Sequence, residues 1–174
     1  DFFFHPITNL SIPSKPTNRY RLLHVSCFDE KAKNIQGLLR AVRAVAQQRQ
    51  DFELVIVGTG IDFQVDTSYA ESLAFPEGML HFTGEQTPYQ VAQWMQQSDA
   101  FILFSRYETY AVVLAEAIAT GLPIISTSTA GIASELPAEC GITIDEGNEQ
   151  QLARAIHHML DKRAEYHTEK KKKH

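Results

Sequence analysis

The sequence predicts an α/β fold, a doubly wound parallel sheet of about six strands, and three observations carry that prediction. Short β-rich runs alternate with longer segments of helical character. The runs are continuously apolar rather than alternating, as expected for a sheet covered on both faces. The first long helical segment carries a one-sided apolar stripe.

Taken in order, residues 1–19 form an irregular lead-in, because Pro6, Pro13 and Pro16 oppose helix and discourage central strand. Strands are expected at 22–27, 53–57, 80–83, 100–104, 123–126 and 142–144. Helices are expected between and after them, at 33–49, 66–74, 88–97, 109–120, 131–136 and 148–161. In the first of these, Ile35, Leu38, Leu39, Val42, Val45 and Ala46 recur at helical spacing, and Asn34 is a candidate cap near its start. Residues 20–161 thus read as one domain, followed by a basic tail at 162–174 that reads as a frayed, solvated end.

A chain of 174 residues with 44% apolar and 21% charged residues can build an ordinary globular core without staples. No apolar run is long enough to span a bilayer, and no signal peptide opens the chain, which argues against a membrane-embedded protein and a secreted cysteine scaffold; two free thiols fit a reducing cytoplasm. The chain starts at Asp1 without a methionine and reads as a piece of something longer. Residues 1–161 carry 10 Lys and Arg against 19 Asp and Glu, a net −9, whereas residues 162–174 carry 6 against 2. A domain so acidic is a poor binder of phosphate backbones, which argues against nucleic acid; the run Lys170–Lys173 leaves a peripheral contact with anionic membrane open. Cys27 and Cys140 lie far apart without a CxxC or histidine companion, so no metal is expected, and both read as buried free thiols.

Ligands of doubly wound folds sit beyond the carboxyl ends of the strands, which directs attention to the loops 26–33, 58–63, 83–87, 105–111 and 127–132. Gly58-Thr59-Gly60 is a partial dinucleotide fingerprint: Phe63 stands where the third glycine belongs, and the turn follows the second strand. It reads more readily as a plain turn. Residues 105–120 say more. Within 111–120 the only charged residue is Glu116, whose helical neighbours Val112, Val113, Ala119 and Thr120 offer no polar face, so the helix reads as buried all round. A carboxylate there needs partners, and an internal salt bridge competes with the hydroxyls of a ligand for that role. Glu108 stands eight residues earlier, at the loop end of the same helix. Between them the free backbone N–H groups near 109–112 carry roughly half a positive charge and suit a phosphate. Lys33, at the start of the first helix, is a candidate second phosphate contact.

These residues resemble the nucleotide-binding half of retaining glycosyltransferases of the GT-B fold, family 4, the group 1 transferases. The E-x7-E signature of that family matches Glu108 and Glu116, within Tyr107-Glu108-Thr109-Tyr110 and the run from Leu114 to Ile125. Further matches are Lys33-Asn34, Gly58-Thr59-Gly60, the His81 to Gly84 run, Ser98-Asp99-Ala100, and Gly131 with Glu135. The first six residues resemble the end of a GT-B interdomain segment, and the likeness covers residues 20–161.

The resemblance implies a Rossmann-like donor half that binds a nucleotide-activated sugar, with UDP or GDP as the nucleotide, in a polysaccharide-building reaction that needs no metal or other cofactor. Glu116 would hold the ribose hydroxyls, and Glu108 would lie against the donor sugar. Lys33 and the helix start at Thr109, Tyr110 and Ala111 would neutralise the diphosphate, Gly58 and Gly60 would let the donor approach the backbone, and the base would rest near Thr83 and Gly84. A saccharide or lipid-linked acceptor would be held by an amino-terminal domain for which 174 residues leave no room, so the chain alone should bind donor and transfer poorly. Such enzymes commonly work in the cytoplasm at the inner face of the membrane. Two positions depart from the family pattern: Cys27 replaces a common arginine, for which Arg106 is a candidate substitute, and Ala111 replaces a glycine. A Rossmann-type NAD-binding oxidoreductase domain and a non-catalytic interaction domain are the competing readings.

Overall fold

The computed structural model describes residues 12–108, 111–129 and 131–164. Six strands, β1 (Tyr20–Val25), β2 (Phe52–Val57), β3 (Leu80–Gly84), β4 (Ala100–Leu103), β5 (Ile124–Thr127) and β6 (Gly141–Ile144), form one sheet in the order β3-β2-β1-β4-β5-β6. Every neighbouring pair is parallel, and the β1–β2 register runs from Tyr20 opposite Phe52 to Val25 opposite Val57. The strand order reverses between β1 and β4, so the loops after these two strands flank the crevice where doubly wound folds take ligands.

The continuous apolar strands are explained by the two cores. Leu22, Leu54, Ile56, Ala100 and Ile102 face a core shared with α2 (Ile35–Ala46), α3 (Phe63–Ser72) and α6 (Glu149–Asp161). Their neighbours Leu23, Val55, Val57, Phe101 and Leu103 face the opposite core, with Trp94 and Met95 of α4 (Pro88–Gln96) and Leu114 and Ala117 of α5 (Val112–Ala119). Successive side chains leave a strand on opposite sides, so a strand with both sides covered is apolar on both faces, and its few polar side chains, such as His24 and the Arg21–Glu53 pair, are buried against partners. Ala133, in a short 3₁₀ helix at Gly131–Glu135, closes the second core.

All six strands appear where the sequence places them, with ends displaced by a residue or two. The helices depart in several places. The expected segment 33–49 is two helices, α1 (Glu30–Lys33) and α2, because Asn34 takes a left-handed conformation at φ 52° that ends one and starts the next. Asn34 does occupy the cap position of α2, but its side chain makes no capping bond; it accepts instead from Arg106 Nη2 at 3.0 Å. The segment 131–136 is the 3₁₀ turn, and α3 begins at Phe63, three residues before the expected start.

The lead-in from residue 12 to 19 contains neither helix nor strand, but it is anchored. Ile12 is buried in the second core, and the Lys15 ammonium meets Asp99 Oδ1 at 2.6 Å. Asp99 Oδ2 also accepts from the Arg21 amide at 2.7 Å, which explains an aspartate at the head of β4. The cysteines are not buried as expected: Cys27 is exposed because β1 ends two residues before it, and Cys140 is half-buried in the turn before β6. Residues 1–11 and the tail from 165, with its lysine run, lie outside the described residues. No helix among the described residues is long and apolar enough to cross a membrane.

Candidate functional site

The loops after β1 and β4 are stitched together across the crevice by Arg106. Its amide donates to Ala32 O at 2.8 Å, and its guanidinium donates through Nη1 to Glu30 O at 3.0 Å and through Nη2 to Asn34 Oδ1. The third nitrogen, Nε, stands 3.7 Å from Glu146 Oε1. Arg106 therefore grips the backbone of α1: its amide serves Ala32 O near the carboxyl end, where a cation is also favoured, and its guanidinium is a second donor to Glu30 O, which already accepts from Asn34 N. As a stand-in for the arginine replaced by Cys27 it is already committed on three sides.

The stitch brings Lys33, at the last turn of α1, onto Glu108, in the loop after β4. Lys33 Nζ meets Glu108 Oε1 at 2.6 Å, with side-chain exposures of only 16% and 9%. Ser105, fully buried, donates its hydroxyl to the same oxygen at 2.7 Å. Beneath them, His24 of β1 is fully buried, with Nδ1 2.9 Å from Ile102 O and Nε2 2.7 Å from Ser26 Oγ. A carbonyl only accepts, so Nδ1 carries the proton and Nε2 accepts from Ser26. Burial pulls the imidazole down to about 4, against the bond to Ile102; Lys33 pushes it lower and Glu108 raises it. His24 is thus a neutral floor under a charged pair. Nothing but a polar residue inside an apolar strand run announced it in the sequence.

The glycines of Gly58-Thr59-Gly60 serve the chain itself. A Cβ on Gly58, at φ 132°, would stand 1.9 Å from Ser26 O, and one on Gly60 would stand 2.6 Å from both the amide nitrogen and the carbonyl oxygen of Phe28. The loops touch backbone to backbone, with Phe28 N donating to Thr59 O at 3.0 Å and Asp62 N to Phe28 O at 3.0 Å. Thr83 and Gly84 end β3, two strands from β1 along the same edge, and Gly84 O accepts from Gly58 N at 2.9 Å. The structure therefore joins residues 26–28, 58–60 and 84 into one continuous shelf beside the crevice.

Glu116 is not buried. Helix α5 exposes a single stripe, Val112, Glu116 and Ala119, while Leu114 and Ala117 face the core. The expectation of a helix covered all round fails because nothing among the described residues packs on this stripe. Helix α5 starts at Val112, later than expected, with Ala111 at its cap position and no side chain capping it. Leu114 N already donates to Ala111 O at 3.0 Å, so the donors left at the helix start belong to Val112 and Val113. Thr109 and Tyr110 lie outside the described residues. At 1.5 Å of rise per residue, Glu116 lies roughly 6 Å further along the helix than Val112.

Among the described residues, the exposed large apolar side chains are Ile61, Val65, Tyr89, Tyr107 and Val112. All lie in loops or first helical turns that follow the carboxyl ends of β2, β3 and β4. This end of the sheet carries open apolar surface around a polar centre, a composition suited to being covered. Among the described residues no group of three or more His, Cys, Asp or Glu is placed to hold a metal.

A family model described as "Glycosyl transferases group 1" matches residues 19–162. The chain is 33% identical over 111 residues to an N-acetyl-alpha-D-glucosaminyl L-malate synthase of Bacillus anthracis, covering 64% of this chain and 28% of that protein. It is 32% identical over 127 residues to a GDP-mannose-dependent alpha-mannosyltransferase of Mycolicibacterium smegmatis, covering 71% and 32%. Among solved structures, the C-terminal domain of a glycosyl transferase group 1 family protein (LpcC) from Francisella tularensis superposes with a TM-score of 0.73 at 18% identity, covering 86% of this chain and 77% of that one. The chain thus spans about a third of the length of the curated relatives it matches.

Proposed function

We propose, for a chain that belongs to the glycosyl transferases group 1 family and has the fold of a GT-B carboxyl-terminal domain, that it is the donor-binding half of a retaining glycosyltransferase. The observation that carries the reading is the Lys33–Glu108 pair at the strand-order reversal, beside the uncapped start of α5 and the outward Glu116.

In this reading the diphosphate of a nucleotide sugar lies between Lys33 and the free amides of α5, while Glu116 accepts hydrogen bonds from the ribose hydroxyls. Glu108 faces the sugar, and the base lies along the shelf of residues 58–60 and 83–84. As the bond between the anomeric carbon and the diphosphate oxygen breaks, negative charge grows on the leaving group. Lys33, turned from Glu108 to the phosphates, and the helix start stabilise that charge as it develops. The sugar gains positive character on the side of Glu108. The reading uses no metal: one ammonium and a helix end supply the positive charge. The acceptor, a saccharide or a lipid-linked sugar, arrives from a partner domain across the open apolar rim, at the cytoplasmic face of a membrane.

Calorimetric titration of the chain and of Glu116→Ala with UDP, GDP, ADP and NAD tests the proposal. Binding of one nucleoside diphosphate that weakens at least tenfold in the variant is expected, and it names the base. NAD binding that survives Glu116→Ala would replace this reading with an oxidoreductase domain, and silence from all four would favour an interaction domain.

A further inference from the structure

Glu108 receives two donors, and both choose the same oxygen. Lys33 Nζ and Ser105 Oγ converge on Oε1 at 2.6 and 2.7 Å, whereas Oε2 has no hydrogen-bond partner among the described residues. The two donors differ in kind. The Lys33 ammonium ends a flexible side chain and, in the donor-binding reading, is drawn away by a diphosphate. The Ser105 hydroxyl sits on a fully buried residue next to the end of β4. Its own peptide is held in turn: Ser105 O accepts from Thr127 Oγ1 at 2.8 Å and from Thr129 Oγ1 at 3.0 Å, so β5 and its following loop fix the backbone that carries the hydroxyl.

We infer that Ser105 is a positioning residue: it keeps Glu108 aimed, with Oε2 toward the sugar, once Lys33 has turned to the phosphates. The inference rests on the donor-binding reading and adds to it a division of labour, in which Lys33 serves the nucleotide and Ser105, through Glu108, serves the sugar. A hydroxyl bonded to a carboxylate belongs to the stronger class of hydrogen bonds, so its loss is expected to change sugar recognition about tenfold.

The experiment compares Kd for UDP with UDP-glucose, and GDP with GDP-mannose, on the 174-residue chain, Ser105→Ala, Glu108→Ala and the double variant. The ratio of the two constants isolates the sugar. Ser105→Ala is expected to lower the preference for the sugar-bearing ligand about tenfold while leaving the bare diphosphate within about twofold. Once Glu108→Ala is present, adding Ser105→Ala should change the ratio no further, an epistasis that a merely structural serine would not show. Ser105→Thr, which retains the hydroxyl, should keep the ratio and guards against misfolding of the alanine variant. Equal weakening of both ligands in Ser105→Ala, or an unchanged ratio with normal diphosphate binding, overturns the role of Ser105 alone. A wild-type chain that binds none of the four ligands overturns the donor-binding reading and this inference with it.

Discussion

Asp66 carries a cost that the sequence hides and that pH can expose. It lies on α3 with no exposed surface; Oδ1 accepts from Gln36 Nε2 at 3.0 Å, and Oδ2 is buried without a hydrogen-bond partner. Burial raises its carboxyl from 3.8 to about 6, against the Gln36 bond, with the charges of Glu30 and Asp62 adding to the rise. A carboxyl raised in the folded state contributes stability that is full below 3.8 and is lost as pH climbs through about 6. The gap corresponds to about 3 kcal/mol, of which about 2 kcal/mol falls between pH 4 and pH 6. His24 works in the opposite sense: held at about 4 against an ordinary 6.5, its contribution is present above 6.5 and lost as pH falls through about 4. The two slopes oppose each other across the same window, which masks both in the wild-type protein. Asp66→Asn keeps the acceptor for Gln36 and removes one slope. Urea denaturation followed by circular dichroism at pH 4, 5, 6 and 7 should show the variant gaining on the wild type by about 2 kcal/mol between pH 4 and pH 6. A difference that stays constant over that range would refute the reasoning, because other titrating groups cancel in the comparison.

Other perturbations test the scaffold. Gly60→Ala puts a methyl 2.6 Å from the Phe28 backbone and should cost several kcal/mol, on the order of the severe class of point mutants, whereas Gly121→Ala meets nothing within 4 Å and should cost only about 1 kcal/mol for its φ of 76°; thermal melts of both variants decide. Arg106→Ala removes the stitch between the β1 and β4 loops and should cost about 1–3 kcal/mol by urea unfolding while weakening nucleotide binding, since Lys33 and Glu108 lose their common frame. Arg21 Nε meets Glu53 Oε1 at 2.6 Å with both side chains buried, and Glu53→Gln should cost about 3 kcal/mol at neutral pH by leaving the guanidinium unpaired. Arg21 and His81 hold the Glu53 carboxyl below its ordinary range despite burial, so that penalty should shrink as acid protonates the wild-type glutamate.

The sheet was legible because its signal is local. Six continuous apolar runs separated by helical segments admit few arrangements, and the two cores show why the strands are apolar on both faces. The break at Asn34 was not legible, since a left-handed residue between two helices leaves the hydrophobic stripe of α2 intact. Glu116 was located by its charge in an apolar helix, but its exposure was misjudged. Composition shows which residues are apolar and not which of them the rest of the fold covers, and α5 leaves its Val112–Glu116–Ala119 stripe open. The pairing of Lys33 with Glu108 spans 75 residues and depends on the strand order, which no local pattern encodes. Ser105 and His24 escaped notice for the same reason: each becomes meaningful only when the loops after β1 and β4 meet.

The central claim is that one nucleotide site lies at the strand-order reversal, and amide chemical-shift mapping during titration with the nucleoside diphosphate that binds tests it most directly. The account predicts shifts concentrated at Lys33, Gly84, the Ala111–Val113 start of α5 and Glu116. Shifts confined to the opposite end of the sheet, around Asp51 and Asp99, would contradict it.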